Sequence, residues 1–187
     1  MLVSGGALLV LSPLIAAVAL AVRLTSPGPI LFRQARLGRN GVPFPLLKFR
    51  SMRLNAPDLR NTDGSAFSSS NDPRLTPIGR FLRQSSLDEL PQLLNVLSGE
   101  MSLVGPRPDQ VDQIKYYDDS EKRKLLVKPG ITGLAQISGR NEIPWKARKA
   151  LDIQYVNTQT LKLDIAILLK TIPYVLGRKG IHTEVSV

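Results

Sequence analysis

Two adjacent carboxylates are the residues whose types and spacing best suit chemistry in this sequence. Asp88 and Glu89 lie in the run 85–97, and Arg107 follows in the segment Gly105–Pro108, where a proline stands on each side of it. Proline fixes its own backbone and restricts the residue before it, and a guanidinium held in this way suits a phosphate. Since the chain has no cysteine, any chemistry falls to carboxylates, Lys, Arg and a hard metal ion.

The run 85–97 is the element that must position this pair. Leucine recurs in it at helical spacing, at positions 87, 90, 93, 94 and 97, which predicts a helix with one buried face and the two acids at its start. A purely structural interpretation also exists, because Ser86 and Glu89 fit a capping box and acids favour a helix N-terminus. Pro91 falls in the tolerant first turn only if Asp88 is the cap. The sequence leaves both interpretations open.

The composition indicates an anionic partner. The chain of 187 residues, 43% of them hydrophobic, suits one domain with an appendage. Its net charge of +10 and pI near 10.2 suit a nucleic acid, an anionic membrane surface or a phosphorylated substrate. Only 5% of the residues are aromatic and no nucleic-acid fingerprint occurs, so we expect no nucleic-acid partner. The single histidine, His182, gives little support to a Ser-His-Asp triad or a zinc site.

An uncharged apolar run near the N-terminus predicts a membrane helix. The run extends from Ala7 to Val22 and is interrupted only by Ser12 and Pro13. It is short for a crossing, which needs roughly 20 residues. Pro13 is expected to kink the helix while Ser12 satisfies part of the freed backbone. A bent helix that enters and leaves the same face is therefore predicted, with a signal peptide and a buried soluble helix as the alternatives.

The next segment predicts a β-hairpin with a cationic face. Strands at 30–34 and 46–50 flank a turn at 38–41. Side chains alternate along a strand, so Lys48 and Arg50 point to the same side. This cationic face is either simply solvated or contacts a phosphate or nucleotide, and the sequence pattern leaves both open.

Four segments surround the acidic pair in sequence. Residues 55–73 are polar and predict a mobile loop that is able to act as a lid. Arg83 comes shortly before the pair and is expected to share its pocket. Asp109 to Leu126 predicts a charged amphipathic helix with solvated acids. Residues 128–133 carry two glycines and a proline, which is a weak signal for a phosphate cradle.

The C-terminal part is predicted to be helical. One helix begins near Pro144 and carries Asp152, for which a structural salt bridge and a role in the site are both open. Residues 161–176 are apolar around most of the helical circumference, which favours a helix lying in a membrane interface. Packing of this helix against the core is the alternative.

Three longer motifs resemble a known family. They are SSLDELPQLLNVLSGEMSLVGPRP, LLKFRSM before it and VKPGITGLAQISGRN after it. Together they are similar to the bacterial monotopic phosphoglycosyl transferases, the bacterial sugar transferase family. The similarity covers about Leu8 to about Leu176. One departure is the start of the chain, Met1-Leu2-Val3, where family members usually carry basic residues and an aspartate.

The resemblance implies a fold, a location and a reaction. The fold is α+β and mainly helical, with residues 1–24 as a re-entrant membrane helix broken at Ser12 and Pro13. Residues 25–187 form a catalytic domain on the cytoplasmic face of the bacterial inner membrane, with an interfacial C-terminal helix. The reaction moves a sugar-1-phosphate from a UDP-sugar to polyprenyl (undecaprenyl) phosphate and releases UMP. It is the first membrane step of exopolysaccharide, O-antigen, capsule or glycoprotein glycan synthesis.

The resemblance also assigns roles at the site. Asp88 is the nucleophile that forms a covalent phosphosugar intermediate, and Glu89 completes the dyad. Both carboxylates are candidate ligands of Mg²⁺, with Glu89 either holding the metal or assisting the acceptor phosphate. The substrate and phosphate contacts that we expect are Lys48, Arg50, Arg83, Arg107, Arg140 and Asp152.

Three other functions compete with this interpretation. A basic non-enzymatic scaffold on the membrane surface accounts for both apolar helices, but gives no reason for acids beside a proline-flanked arginine. A nucleic-acid module has the charge without the fingerprint. A conventional sugar-nucleotide glycosyltransferase lacks support because the sequence has no Asp-x-Asp motif for its metal.

Overall fold

The first element is helix α1, Leu2–Thr25, which continues through Pro13. We analysed a computed structural model that describes residues 2–69, 71–178 and 180, so His182 lies outside the described residues. The Ser12 hydroxyl donates to the carbonyl of Leu9 at 2.8 Å, as expected beside a proline. With 24 residues, α1 is about 36 Å long. The expectation that this segment is short for a crossing is therefore wrong, because α1 is long and apolar enough to span a membrane.

The predicted hairpin is confirmed, with longer strands. Strand β1, Leu31–Leu37, pairs antiparallel with β2, Pro43–Phe49, and Phe32 lies opposite Lys48. The turn Arg39–Gly41 is a 3₁₀ turn in which Asn40 has a φ of 57° and Gly41 one of 74°. Only asparagine, aspartate and glycine adopt such left-handed geometry readily, so this turn fixes the register of the hairpin.

Three short helical elements follow the polar loop. Helix α2, Pro77–Gln84, begins at the cap Thr76, whose hydroxyl accepts from the Gly79 amide at 3.0 Å. A 3₁₀ turn, Leu87–Glu89, then leads into helix α3, Gln92–Leu97. The run 85–97 is therefore two elements rather than the single predicted helix, and Pro91, which has no amide hydrogen to donate, lies at the break between them.

A second, smaller sheet holds the segment with Arg107. Strand β3, Ser102–Val104, runs parallel to β4, Gly130–Thr132. A side chain on Gly130 would place its Cβ 2.1 Å from the amide nitrogen of Gly105. A Cβ on Gly133 would lie 2.2 Å from the Gly105 carbonyl oxygen. These glycines allow two backbone segments to touch, which gives them a structural role. Residues 128–133 do not line the pocket described below, and their use as a phosphate cradle stays a prediction.

The prediction for the connection between these strands is also wrong. Residues 109–126 form two 3₁₀ segments, Val111–Tyr116 and Glu121–Leu126, instead of one amphipathic helix. Glu121 was expected to be solvated but is buried, and it accepts from Lys149 Nζ at 2.7 Å. Asp109 is likewise enclosed. The prediction of solvated acids fails for Asp109 and Glu121, because each pairs with a buried lysine distant in sequence. It is confirmed for the other three acids of the segment, Asp112, Asp118 and Asp119, which are exposed.

The C-terminal helices are confirmed. Two 3₁₀ turns, Gln136–Ser138 and Arg140–Glu142, precede helix α4, Trp145–Thr158, and helix α5, Leu161–Leu176, which has the predicted bounds. On α5, Ile167 is buried in a cluster with Val104 and Tyr155. The opposite side of α5 exposes large apolar residues, namely Leu161, Ile165, Leu169, Ile172 and Leu176. Helix α5 therefore packs against the core on one side and leaves an apolar surface on the other.

The apolar cluster under the acidic pair joins α1 to the rest of the chain. It consists of Val18, Val22, Phe49 and Leu82, with other apolar side chains packed around it. Val22 and Leu82 are fully buried. The hairpin, α2 and the end of α1 thus form one support for the site.

Candidate active site

The turn Leu87–Glu89, which carries the acidic pair, is anchored by the apolar cluster. Leu87 and Leu90 pack against the apolar cluster on either side of the two acids. Ser86 has a left-handed φ of 57° and makes no side-chain cap. Its hydroxyl instead accepts from Arg140 Nη1 at 3.2 Å. The structure therefore decides against a capping box, and both carboxylates line the adjoining pocket.

Glu89 is held in place by two cations. Its Oε1 accepts from Lys48 Nζ at 2.8 Å and from Arg107 Nη2 at 3.0 Å. Burial alone would raise the pKa of Glu89, but the charges of Lys48 and Arg107 outweigh it and hold the pKa well below its ordinary value. Glu89 is therefore ionised at any pH near neutrality.

Asp88 lies beside this ion pair without a partner of its own. Its side chain is buried, and among the described residues no donor lies within hydrogen-bonding distance of its carboxylate. Burial raises the pKa of Asp88 to about 6, helped by the charge of Glu89 and opposed by Lys48. A buried carboxylate that is ionised at neutral pH but unpaired is a suitable nucleophile.

The pocket around the pair is basic and of a size for a small anion. It has a volume of about 210 Å³. Among the described residues, seven basic side chains line it against four acidic ones. The basic residues are Arg36, Lys48, Arg83, Arg107, Lys124, Arg140 and Arg148; the acidic ones are Asp88, Glu89, Asp109 and Asp152. The surplus of fixed positive charge complements a phosphate or diphosphate.

Two of these arginines are positioned by hydroxyl groups. Arg83 donates from Nε to Ser51 Oγ at 3.0 Å. Arg140 bridges to Ser86 and has a left-handed φ of 48°, which is unfavourable for a residue with a side chain and is characteristic of functional sites. Both guanidiniums are thus fixed beside Asp88 before any ligand arrives.

The structure brings together Lys48, Arg83, Arg107, Arg140 and Asp152 in one pocket, but it separates Arg50 from them. Arg50 is buried and donates to Pro27 O, and it donates to Ser26 O at 2.8 Å. The predicted shared cationic face of Lys48 and Arg50 is therefore wrong. Arg50 is turned towards the linker after α1, whose carbonyl groups need donors.

Replacing Arg50 should affect stability and leave substrate binding unchanged. Arg50→Met removes the hydrogen bonds to the linker, which should cost about 2–3 kcal/mol because the acceptors are left buried. We expect a lower melting temperature in detergent and an unchanged KM for a nucleotide-sugar donor. Arg33→Met, at an exposed position on β1, is the control. A large rise in KM for Arg50→Met would return Arg50 to the site.

Asp152 belongs to a buried network at the inner end of the pocket. Lys124 Nζ lies 2.9 Å from Asp152 Oδ2 and 2.8 Å from Asp109 Oδ2, and the Tyr117 hydroxyl also donates to Asp109. Burial opposes the charge on Lys124, but the two carboxylates raise its pKa well above its ordinary value. The salt-bridge interpretation of Asp152 is therefore confirmed. Asp152 also lines the pocket, and its role in the site stays a prediction.

Several pocket residues were missed from the sequence. Arg36 lies in the basic run of the hairpin and was recognisable only as one of several arginines. Asp109 and Lys124 carried no signal, since their pairing depends on the path of 109–126. The loop contributes Ser65 to Ser68 to the wall of the pocket, while its predicted action as a lid stays a prediction.

The pocket also offers oxygen atoms for a hard cation. Both partners of Glu89 bind Oε1, and among the described residues no donor is hydrogen-bonded to Oε2. Asp88 adds its unpaired carboxylate. In the described part of the chain, this pocket included, no group of three or more His, Cys, Asp or Glu side chains is arranged to hold a metal. Two carboxylates fit Mg²⁺, which keeps waters and substrate phosphates as its other ligands.

Comparison with known proteins defines the class. The profile of the bacterial sugar transferase family matches residues 1–178, and the chain belongs to this family. The undecaprenyl-phosphate galactose phosphotransferase of Salmonella typhimurium is 47% identical over 166 residues, covering 83% of this chain and 35% of the relative. The UDP-glucose:undecaprenyl-phosphate glucose-1-phosphate transferase of Escherichia coli is 44% identical over 173 residues, covering 88% and 36% respectively.

A shorter relative aligns over most of its length. The exopolysaccharide production protein ExoY of Rhizobium meliloti is 42% identical over 186 residues, which is 93% of this chain and 82% of the relative. The chain spans between 35% and 40% of the length of three longer relatives, including those of Haemophilus influenzae and Salmonella typhimurium. The shared part includes the acidic pair and its pocket.

Proposed function

We propose that this chain transfers a sugar-1-phosphate from a UDP-sugar to polyprenyl phosphate, giving a polyprenyl diphosphosugar and UMP. The observation that carries the proposal is the unpaired, buried Asp88 within a ring of fixed cations. A non-enzymatic scaffold gains nothing from a buried, unpaired carboxylate, because burying that charge destabilises the fold. The names of the relatives support the same substrates.

In the first step, the Asp88 carboxylate attacks the phosphorus that carries the sugar. A bond forms between an Asp88 oxygen and phosphorus, and the phosphorus–oxygen bond to UMP breaks. Charge develops on the phosphoryl oxygens and on the departing UMP. Arg107 and Arg140 are placed to stabilise it because they are fixed beside Asp88.

In the second step, the acceptor phosphate attacks the same phosphorus and releases Asp88. Glu89 stays ionised and keeps Lys48 and Arg107 in place, which makes it a positioning residue in both steps. Asp88 and Glu89 Oε2 would hold Mg²⁺. Bound there, the ion supplies charge neutralisation for the diphosphate of the donor.

We further propose that α1 is re-entrant and that the chain is monotopic on the cytoplasmic face of the inner membrane. Ser4 near the start of α1 and Val22 near its end are fully buried. Leu9 and Val10 between them are 78% and 79% exposed. The C-terminal end of α1 packs against the domain through Val18 and Val22, which leaves the exposed apolar residues before it to contact lipid. Ser12 and Pro13 stand at the position where a re-entrant helix would bend. The apolar surface of α5 suits the same interface, where polyprenyl phosphate presents its headgroup.

A donor panel tests the proposed function. The membrane-extracted chain is supplied with Mg²⁺, undecaprenyl phosphate and several UDP-sugars, and UMP release is measured. We expect release from at least one donor, accompanied by a lipid-linked sugar phosphate. Folded protein that releases no UMP with any donor would contradict the proposal and favour the scaffold.

The acidic limb of the pH profile should report Asp88. Only the carboxylate is nucleophilic, and a pKa of about 6 leaves most of Asp88 protonated at pH 5. The rate of the first UMP turnover should therefore rise about tenfold from pH 5 to pH 7.5. Polyprenyl phosphate is omitted because its own phosphate titrates in this range. A flat profile would contradict the titration of Asp88 in this range. A midpoint that moves towards pH 4 as the Mg²⁺ concentration is raised would instead support Asp88 as a ligand of the metal.

A further inference from the structure

Unsatisfied polar atoms are concentrated in one part of the pocket. Seven buried side-chain nitrogen and oxygen atoms of the described residues have no hydrogen-bond partner, and five of them belong to residues that line this pocket. They are Arg36 Nε, Gln136 Nε2, Gln136 Oε1, Arg148 Nε and Asp152 Oδ1. Folded proteins satisfy nearly all buried polar groups, so a concentration of exceptions indicates atoms reserved for a ligand.

Gln136 is the clearest member of this group. It is 4% exposed, and neither atom of its amide has a partner. A Cβ on Gly133 would lie 2.8 Å from Gln136 Oε1, so the glycine leaves room for the amide. The fold thus accommodates a buried amide whose hydrogen bonds are all unmade, at a cost in stability that a structural role does not repay.

The mixture of donors and acceptors favours a ligand group that both donates and accepts over a phosphate at this position. Asp152 Oδ1 and Gln136 Oε1 are acceptors, whereas phosphate oxygens only accept and would be repelled by the carboxylate. The ligand group must donate at least two hydrogen bonds and also accept them from Gln136 Nε2, Arg36 or Arg148. A uracil ring has a single N–H and supplies one donor. Neighbouring hydroxyl groups on a sugar ring donate and accept at every position.

We propose that Gln136, together with Asp152 Oδ1 and Arg148 Nε, forms a subsite for the hydroxyl groups of a sugar ring of the donor. The inference rests on the proposed function, since it takes the donor to be a UDP-sugar. The ring is the transferred hexose or the ribose of the nucleotide, which offer the same chemistry. Arg148 is already oriented for this contact, because its Nη1 donates to Asn141 Oδ1 at 2.9 Å.

The test compares two buried glutamines. Gln136→Met removes both unpartnered atoms without breaking a hydrogen bond among the described residues. Gln92→Met is the matched control, because Gln92 is also buried and has an unpartnered Nε2 but lies outside the pocket. Both changes are made in an Asp88→Asn background, which does not consume the donor. Calorimetry in nanodiscs measures the Kd of UDP-glucose, UDP-galactose, UMP and 2′,3′-dideoxy-UMP.

We expect Gln136→Met to raise the Kd of UDP-glucose or UDP-galactose about tenfold, which corresponds to a loss of about 1.4 kcal/mol of binding free energy. The melting temperature should not fall. The control should change neither. A loss of affinity confined to the UDP-sugars assigns the subsite to the hexose. A loss of affinity for UMP but not for 2′,3′-dideoxy-UMP assigns it to the ribose. Equal loss for both monophosphates, or no loss for any ligand, would overturn the proposal.

Two further results keep the interpretation unambiguous. If Gln136→Met folds poorly, Gln136→Ala takes its place, because it removes the same atoms without filling the pocket. If the Asp88→Asn protein with Gln136 intact binds no UDP-sugar or UMP, the proposed function itself fails. That outcome is distinct from normal binding that Gln136→Met leaves unchanged, which overturns only the subsite.

Discussion

Asp88→Asn is expected to reduce UMP release by about a thousandfold or more. The change removes the nucleophile, and loss of a covalent nucleophile has effects of this size or larger. The asparagine side chain has nearly the same shape as aspartate. The change breaks no hydrogen bond, because Asp88 has no partner among the described residues. Burying a neutral group instead of a charge should also keep or raise the melting temperature at pH 7.5.

The control for Asp88→Asn is a second aspartate. Asp119 has a side chain that is 97% exposed, so Asp119→Asn should leave UMP release within a factor of two. The sign of the stability effect is a further check. The pKa of Asp88 is raised on folding, so its ionisation destabilises the fold as pH rises, and any stabilisation by Asp88→Asn should shrink towards pH 4. An active, stable Asp88→Asn protein would favour the scaffold over the transferase.

Lys124→Met should produce the largest loss of stability. Lys124 is 4% exposed and is the shared partner of Asp109 and Asp152. Methionine fills a similar volume but leaves two buried carboxylates without a counter-charge, which should cost about 3–5 kcal/mol. For a chain of this size the melting temperature should fall by about 10 °C. Thermal unfolding in one detergent measures the effect.

A neighbouring lysine supplies the matched control. Lys122 pairs with Asp119 at 2.8 Å, but its side chain is 53% exposed, so Lys122→Met should change the melting temperature very little. Adding Asp109→Asn and Asp152→Asn to Lys124→Met should restore most of the lost stability, because the unpaired charges are then gone. Equal effects of Lys122→Met and Lys124→Met would show that the buried network is not stabilising.

The local elements with strong periodicity were predictable from the sequence. The hairpin and α5 have period-two and helical patterns that packing reinforces, and α4 begins one residue after Pro144, as expected. The acidic pair and Arg107 were recognisable because their motif is local. The membrane helix at residues 1–24 that the resemblance implies agrees closely with α1, Leu2–Thr25, although the apolar run alone indicated a shorter element.

The parts that failed depend on contacts between distant residues. Arg50 was assigned to the pocket from strand alternation, but the carbonyl groups of the linker capture its guanidinium. Asp109 and Glu121 were expected to be solvated, but in the folded chain they pair with the buried Lys124 and Lys149. Gln136 carries no signal of its own in the sequence, because its unpaired amide becomes evident only when the pocket closes around it.

The most direct test of the central claim is the intact mass of the protein during the first step. Wild-type chain is incubated with Mg²⁺ and UDP-glucose or UDP-galactose without polyprenyl phosphate, and the mass is recorded after acid quenching. The account predicts a gain of one hexose phosphate on the peptide that contains Asp88. The gain should be lost on addition of polyprenyl phosphate and absent in Asp88→Asn. Transfer to lipid without any adduct, or an adduct that persists in Asp88→Asn, would contradict it.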